Sequence, residues 1–350
     1  MDKKVFIDGK EVAFEGNKTV LQIARENGIY IPSLCYHPKL EPSSNCRVCM
    51  VEVEGMRGLQ ASCHLTPMDG MKIHTNSPLV LDGRKMVVNL LLSNGNHDCL
   101  ACEVNGNCEL QDAAYNLGIE VPAFIMEQKQ PRDHSAAFIM RDPNKCILCG
   151  RCIDGCNQLV VNEVLAFANR GWNKTVVCDI DVPMGESTCV QCGECVQLCP
   201  VGALIDKKGI GKARAWETRK VRTTCAYCGV GCQLELHVKG DQIIRVTGVE
   251  DAQPNQGHLC VKGRYGYDFI YSNDRLTTPL IREGEGFREA SWEEAIGLIA
   301  SKFTQIIQES GPDAIAGVSC SRSINEDSYA MQRLFREAIG TNNIDNCARV

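Results

Sequence analysis

Twenty-two cysteines in 350 residues constrain this chain more than any other feature of its sequence. All but three of them fall into five groups with short, regular spacing, and ordinary globular sequence separates one group from the next. Three chemical uses account for so many clustered thiols: a disulfide framework, zinc sites or iron–sulfur clusters. The start of the chain and the spacing within each group distinguish among these uses.

The start of the chain argues against disulfides. Polar and apolar residues alternate there around Asp8-Gly9, which predicts a hairpin and not an export signal. No apolar run approaches the roughly 18 residues of a membrane span. We therefore predict a cytoplasmic protein without a membrane span, whose thiols stay reduced and free to bind metal. The net charge of −6 argues against a nucleic-acid partner.

The first group has the spacing C-x10-C-x2-C-x13-C, and its members are Cys35, Cys46, Cys49 and Cys63. One long loop and a C-x2-C pair can wrap a flat two-iron cluster and supply two thiolates to each iron. A zinc ion at the single C-x2-C pair is the alternative. Because all four cysteines occur at this spacing, we predict that they bind a 2Fe-2S cluster.

Local signals around the first group predict a small domain of mixed helix and strand. The stretch Val5–Phe14 predicts a hairpin, and Val48–Val53 predicts a strand. Thr19 with Gln22 predicts a capping box for a short helix that stops at Gly28. This combination indicates a β-grasp ferredoxin domain over residues 1–79.

The second group, C-x2-C-x5-C, supplies only Cys99, Cys102 and Cys108. Three thiolates leave one corner of a 4Fe-4S cubane open, and His97 is the nearest residue able to fill it. Residues 80–120 resemble the His-Cys cluster segment shared by the large cluster-bearing subunit of complex I, iron-only hydrogenases and soluble formate dehydrogenases. The usual pattern there is H-x3-C, whereas this chain has H-x-C. A solvated His97, with another residue as the fourth ligand, is the alternative.

The third and fourth groups are two copies of one motif, C-x2-C-x2-C-x3-C, within residues 138–210. In bacterial two-cluster ferredoxins the last cysteine of each copy binds the cluster of the other copy. A zinc ion would normally take two separated pairs instead. We therefore predict two 4Fe-4S clusters, one held by Cys146, Cys149, Cys152 and Cys199, and the other by Cys189, Cys192, Cys195 and Cys156.

The fifth group, C-x2-C-x3-C-x27-C, consists of Cys225, Cys228, Cys232 and Cys260. Gly229 and Gly231 lie inside its loop, where the backbone must bend closely around a 4Fe-4S cluster and can aim N–H groups at its sulfurs. Lys262 follows the last cysteine by two residues. We predict a fourth cubane here.

The fifth group and the sequence after it closely resemble the molybdopterin oxidoreductase family, and formate dehydrogenases in particular. The residues that carry the resemblance are Cys225-Ala226-Tyr227-Cys228, Cys260-Val261-Lys262-Gly263-Arg264, Gly266-Tyr267-Asp268-Phe269, Asp274-Arg275-Leu276 and Pro279-Leu280-Ile281. The resemblance implies an α+β multi-domain fold. The fold begins with the 2Fe-2S ferredoxin, the His-Cys segment and the two-cluster ferredoxin. A molybdopterin-oxidoreductase 4Fe-4S domain follows over residues 218–272. The truncated start of an α/β molybdopterin-binding domain comes last, over residues 273–350.

The resemblance also implies a function. Formate would be oxidised, or carbon dioxide reduced, at a molybdenum or tungsten bis-molybdopterin guanine dinucleotide site. One 2Fe-2S and four 4Fe-4S clusters would relay the electrons to a partner, which could be a flavin- and NAD-binding diaphorase, a ferredoxin-type subunit or a hydrogenase subunit. Lys262 would lie between the fifth cluster and the pterin, the alternative being a snorkelling surface lysine.

Other functions stay open at this point. One is a naturally short, non-catalytic electron-relay subunit, and another is a complex-I-like component. No glycine-rich strand–turn–helix fingerprint occurs, so NAD would be bound by a partner subunit. Of the cysteines outside the groups, we expect Cys178 and Cys320 to be small buried residues, and we assign Cys347 no role.

The last segment predicts one βα unit of a parallel sheet. Its predicted elements are, in order, a helix capped by Ser291 with Glu294 that runs to about Glu309 before Gly311-Pro312, a buried strand Ala314–Ser319, an amphipathic helix Asn325–Ile339 ended by Gly340, and a strand opening at Ile344.

The final residues carry a further expectation. In formate dehydrogenases, a stretch resembling Cys347-Ala348-Arg349-Val350 is followed directly by the cysteine or selenocysteine that binds the metal. Selenocysteine is encoded by UGA, so we expect a UGA codon after Val350 and no catalytic residue within the chain itself. An arbitrary boundary and a naturally short protein are the alternatives.

Overall fold

The computed structural model describes residues 3–124 and 130–347 and divides into two compact units. The first unit comprises residues 1–219 and 238–245, and the second comprises residues 220–237 and 246–350. The first four cysteine groups therefore belong to the first unit, and the fifth group belongs to the second. Among the described residues, no helix is both long enough and apolar enough to cross a membrane.

A five-stranded mixed sheet carrying one helix begins the first unit. Its elements are β1 (Lys3–Ile7), β2 (Lys10–Phe14), α1 (Val20–Glu26), β3 (Met50–Val53), β4 (Gln60–Ala61) and β5 (Lys72–His74). The strand order is β2-β1-β5-β3-β4, with β1 antiparallel to β2 and parallel to β5. Val5 and Ile7 alternate inward along β1 and belong to one buried core with Leu21 and Ile23 of α1.

The local predictions for this part of the chain are confirmed almost to the residue. The hairpin forms, and the capping box of α1 is present, because Thr19 and Gln22 exchange both of their hydrogen bonds. Strand β3 begins at Met50 and not at Val48, which lies in a turn. The hairpin, helix and sheet order are those expected of a β-grasp domain.

The rest of the first unit is built from short elements around the cysteine loops. They are α2 (Pro78–Ser93), α3 (Glu109–Asn116), β6 (Ile139–Arg141), α4 (Arg151–Asp154), β7 (Leu165–Ala168), β8 (Thr175–Cys178), α5 (Glu194–Leu198) and β9 (Leu204–Asp206). Strand β6 pairs with β9, and β7 pairs with β8, both antiparallel. A second buried core joins the loops of the first and third cysteine groups to α2 and α3, through residues such as Leu34, Val88, Leu110 and Ile147.

The remaining elements follow residue 218. They are β10 (Arg219–Thr224), β11 (Gln233–Lys239), β12 (Gln242–Gly248), α6 (Val261–Tyr265), β13 (Leu280–Glu283), β14 (Gly286–Glu289), α7 (Trp292–Ser310), β15 (Gly317–Cys320), α8 (Asn325–Arg333) and β16 (Ile344–Cys347). Strands β10, β11 and β12 form one sheet in that order, and β13 and β14 form an antiparallel hairpin. Strands β15 and β16 are parallel.

The predicted βα unit is confirmed in outline and corrected in two details. Helix α7 is capped by Ser291 as predicted, and α8 continues as a π-helical turn to Ile339 before Gly340. The strand predicted to be buried over Ala314–Ser319 is shorter and largely exposed. It begins at Gly317, and the Val318 side chain is 76% exposed, because in the described residues β15 pairs only with β16.

The lone cysteines give a mixed result. Cys178 is fully buried, as predicted, and its sulfur accepts a hydrogen bond from Arg141 at 3.0 Å. The prediction for Cys320 was wrong: it is exposed at the open end of β15, where it lies beside Cys347 of β16 in the strand register. Residues 348–350, on which the selenocysteine expectation rests, lie outside the described residues.

Candidate metal centres

The four cysteines of the first group converge under the five-stranded sheet. All four are buried, and hydrogen bonds join Cys35 to Cys46 and to Cys63, and Cys63 to Cys49. The thiols of Cys46 and Cys63 lower the pKa of Cys35, and the neighbouring sulfurs of Cys35 and Cys49 raise the pKa of Cys63. Four buried sulfurs joined in a chain by three such contacts fit the donor set of a 2Fe-2S cluster.

The second group lines a cavity together with the histidine that the sequence singled out. Cys99, Cys102 and Cys108 face His97 and Lys145 across this space. The Nε2 atom of His97 is buried and has no hydrogen-bond partner among the described residues, while the ring makes a hydrogen bond to the Leu91 backbone.

This environment suits a metal-binding imidazole. Burial lowers the pKa of His97, which favours the neutral ring that can ligate metal. A backbone partner on one ring nitrogen fixes the ring and leaves the other nitrogen for the metal, as is usual for ligating histidines. The orphaned Nε2 atom beside three thiols therefore fits the open corner of a cubane.

The third and fourth groups adopt the same local conformation twice. Leu148 and Gln191 both have a positive φ, and their N–H groups donate to Cys146 and Cys189 at 3.4 and 3.3 Å. Gly150 and Gly193 are left-handed and begin α4 and α5. Each loop thus directs a backbone N–H group at the sulfur of its first cysteine.

The last cysteine of each copy crosses to the other copy. One cavity is lined by Cys146, Cys149, Cys152 and, from the other copy, Cys199. Cys156 in turn lies within electrostatic range of the fourth group, whose members are Cys189, Cys192 and Cys195.

The helical turns that carry Cys199 and Cys156 differ because different residues follow these two cysteines. Pro200 follows Cys199 and ends α5, because proline has no N–H to continue the helix. Asn157 follows Cys156, and there the chain continues as a π-helical turn from Gly155 to Val160.

Burial makes these thiols poor acids without a metal. It raises the pKa of Cys146 to about 11, and it also raises the pKa values of Cys149, Cys152 and Cys195 above the ordinary thiol value. A buried thiolate requires compensating positive charge, which iron ions supply. In the described part of the chain, no three His, Cys, Asp or Glu side chains converge as they would on a single metal ion.

The fifth group gathers around the turn between β10 and β11. The N–H of Cys225 donates to the Cys232 carbonyl at 2.8 Å, and Cys228 and Cys260 lie within electrostatic range of Cys225. Cys225 is buried, whereas Cys260 is exposed at the start of α6. Lys262 is the second residue of that helix, and it is exposed. The structure therefore gives the position of Lys262 and, among the residues it describes, assigns it no partner.

Several residues that the sequence did not single out hold these loops in place. Arg151 pairs with Glu109, Asn45 donates to the Cys149 carbonyl at 3.2 Å, and Arg214 donates to the carbonyls of Leu100 and Cys102. The two motif copies contained one usable signal. In each copy a charged residue follows the left-handed glycine: Arg151 in one copy and Glu194 in the other. Their long-range partners have no signal in a single sequence.

Comparison with known proteins assigns a family description to most of the chain. The matches are a 2Fe-2S iron-sulfur cluster binding domain (residues 4–78), an NADH-ubiquinone oxidoreductase-G iron-sulfur binding region (84–122), a 4Fe-4S dicluster domain (145–203), a Molybdopterin oxidoreductase Fe4S4 domain (218–272) and Molybdopterin oxidoreductase (275–350).

Curated relatives resemble nearly the whole chain. "Probable oxidoreductase YjgC" of Bacillus subtilis is 38% identical over 99% of the chain and 39% of the relative. "NADPH-Fe(3+) oxidoreductase subunit alpha" of Geobacter sulfurreducens is 37% identical over 98% of the chain and 40% of the relative. "Putative formate dehydrogenase" of Staphylococcus aureus is 33% identical over 99% and 39%. The chain spans about two fifths of the length of these relatives.

A chain of one solved structure is similar to part of this chain. A chain of an NAD+-reducing [NiFe]-hydrogenase in the H2-reduced state matches with a TM-score of 0.58 and 30% identity. The match covers 61% of this chain and 92% of the hydrogenase chain.

Proposed function

We propose that the chain is the electron-transfer portion of a formate dehydrogenase catalytic subunit in the molybdopterin oxidoreductase family. Its similarity to two domains of that family and to an iron–sulfur region of the G subunit of complex I supports this. The observation that carries electron transfer is the cavity lined by Cys146, Cys149, Cys152 and Cys199. Two separate copies of a motif meet there in the crossed pattern of a two-cluster ferredoxin. Five cysteine groups of this kind in one chain would supply a relay of clusters.

The proposed ligands are those predicted from the sequence. The first group would hold a 2Fe-2S cluster, and the other groups would hold four 4Fe-4S clusters, with His97 completing the second site. When bound, the clusters supply one-electron redox couples. The chain's own residues bury the sulfurs of the first group, direct N–H groups at several others and fix their spacing. Loops of the first, second and third groups pack in one unit, so the sites are neighbours along a relay.

Formate is the finer part of the proposal. It rests on the resemblance around Cys260 and Lys262 and on the Staphylococcus relative, whose printed name contains formate dehydrogenase. By that resemblance, a molybdenum or tungsten bis-molybdopterin guanine dinucleotide would react with formate, and Lys262 would contact the pterin beside the fifth cluster. The metal ligand would be a cysteine or selenocysteine placed directly after a stretch like residues 347–350.

A second candidate is favoured by a specific comparison. The Geobacter relative is more similar to this chain than the Staphylococcus relative, and its printed name assigns it to NADPH-dependent iron(III) reduction. In that case electrons would enter from a pyridine nucleotide through a partner subunit. Similarity to hydrogenase and complex I subunits supports partners in a complex for either function, such as a flavin- and NAD-binding subunit.

Turnover by the encoded protein with its co-purifying subunits distinguishes the two candidates. The formate proposal predicts reduction of viologen dye by formate, together with molybdenum or tungsten at about one per catalytic subunit. Reduction of iron(III) by NADPH without any formate-dependent turnover would replace it with the second candidate.

A further inference from the structure

One buried cation lies among the cysteine loops and has no part in ligation. Arg151 follows left-handed Gly150 at the start of α4, and its side chain is only 5% exposed. Two of its nitrogens donate to the two carboxylate oxygens of Glu109 at 2.6 and 2.7 Å. Its Nε atom is buried and has no hydrogen-bond partner in the described residues. A guanidinium stays charged at any ordinary pH, so this charge is permanent.

The surroundings of Arg151 belong to two different cluster sites. Its backbone N–H donates to the sulfur of Cys149, and its charge acts on Cys149 and on Cys35 of the first group. The two loops touch at this point, because Asn45, next to Cys46, donates to the Cys149 carbonyl. A Cβ on Gly150 would meet the Asn45 amide at 3.0 Å, so nothing separates the loops here.

The opposite charges of Arg151 and Glu109 do not cancel each other at these two cluster sites. The Glu109 side chain is 46% exposed, so water screens its charge, whereas the Arg151 charge is buried and is screened much less. A cluster beside this pair therefore experiences a net positive potential. Adding one electron to an oxidised cluster makes it more negative without making or breaking a bond, and a nearby positive charge favours that change.

We propose that Arg151 sets the reduction potentials of two adjacent clusters, the one held by Cys35, Cys46, Cys49 and Cys63 and the one held by Cys146, Cys149, Cys152 and Cys199. Its unpartnered Nε–H is the donor available to a cluster sulfur, and hydrogen bonds to sulfur are one determinant of cluster potential. Glu109 holds the guanidinium in place. This inference rests on the proposed function, since it requires that both cysteine sets hold clusters.

The expected size of the effect follows from electrostatics. A unit charge about 10 Å from a cluster, at an effective dielectric constant of about 20, changes a one-electron equilibrium by roughly tenfold. A tenfold change corresponds to 59 mV for one electron. Removal of the Arg151 charge should therefore make both clusters harder to reduce by about this factor.

Redox titration of the anaerobically purified chain, followed by electron paramagnetic resonance, tests the inference. Arg151→Gln should lower the potentials of the 2Fe-2S cluster and of one cubane, and leave the other cubanes unchanged. Arg151→Lys keeps the charge and should recover most of the loss. Glu109→Gln should shift the same two potentials upward by a smaller amount, because it removes an anion whose charge water already screens in part. Lys18→Gln removes a cation from an exposed pair with Glu26 and should shift neither potential.

The outcomes separate the inference from the function on which it rests. Full iron content with unchanged potentials in Arg151→Gln would overturn the inference alone, as would equal shifts of all clusters. Absence of these two clusters from the wild-type chain would overturn the proposed function. If Arg151→Gln fails to fold or loses iron, the Glu109→Gln variant tests the inference instead. Damage to the fold would not raise the potentials of these two clusters selectively. No upward shift in that variant refutes the inference.

Discussion

Gly202 offers a sharp test of the second cluster site. A Cβ atom built at this position would lie 2.8 Å from the Cys102 sulfur and 3.0 Å from a methyl group of Val104. Ordinary contacts begin near 3.4 Å, so Gly202→Ala would displace the sulfur by about 0.6 Å (3.4 − 2.8). Metal–ligand distances tolerate only about 0.2 Å. The displacement is therefore about three times what the proposed ligand can absorb.

The backbone cannot easily relieve this overlap. The N–H groups of Val201 and Ala203, on either side of Gly202, point at the sulfur of Cys199. A shift of this segment would disturb the site that Cys199 shares with the third group. Gly202→Ala should therefore cost the protein one cubane, or about four irons of an expected total of about 18.

Iron and acid-labile sulfide analysis after anaerobic purification measures this loss. The matched control is Gly297→Ala in α7, where a Cβ atom meets nothing within 4 Å. That variant should keep all its iron, and better helix propensity should stabilise α7 by roughly 1 kcal/mol. Full iron content and an unchanged spectrum in Gly202→Ala would refute the placement of Cys102 at a cluster.

Three further variants test other parts of the account. His97→Ala should alter the spectrum and potential of one cubane only. His97→Cys should lower that potential, because histidine ligation raises it. Unchanged potentials of both variants in redox titration would exclude His97 as a ligand. Gly155→Ala places a Cβ 2.2 Å from the Leu198 side chain and should cost about 1–3 kcal/mol, seen as cluster bleaching at lower temperature. Leu198→Ala in that background should restore part of the loss, and no recovery would contradict the overlap. Thr19→Ala breaks the capping box of α1 and should cost about 1 kcal/mol in denaturant unfolding; an unchanged midpoint would contradict the role of that cap.

Features encoded by residues close in sequence could be predicted well. The Thr19 and Ser291 caps, the hairpin at Asp8-Gly9 and the two C-x2-C-x2-C-x3-C loops all occur in the structure as predicted. In each case the signal and its consequence lie within a few residues, so local sterics and hydrogen bonding determine the outcome. The family resemblance added the crossed cysteine pattern, which joins residues far apart in sequence.

Features that depend on contacts between distant segments were missed or wrong. Nothing near Arg151 in the sequence indicates that it pairs with Glu109, which lies 42 residues earlier. Cys320 was expected to be buried because lone cysteines usually are, but burial depends on which elements cover β15. The same dependence explains why Ala314–Ser319 was assigned to a buried strand on composition alone.

The most direct test of the central claim is the metal content of the anaerobically purified 350-residue chain. Five cluster sites, one with two irons and four with four, predict about 18 irons and an equal amount of acid-labile sulfide per chain, with little zinc. Zinc at about one equivalent per cysteine group, with little sulfide, would contradict the assignment of these cysteines to iron–sulfur clusters.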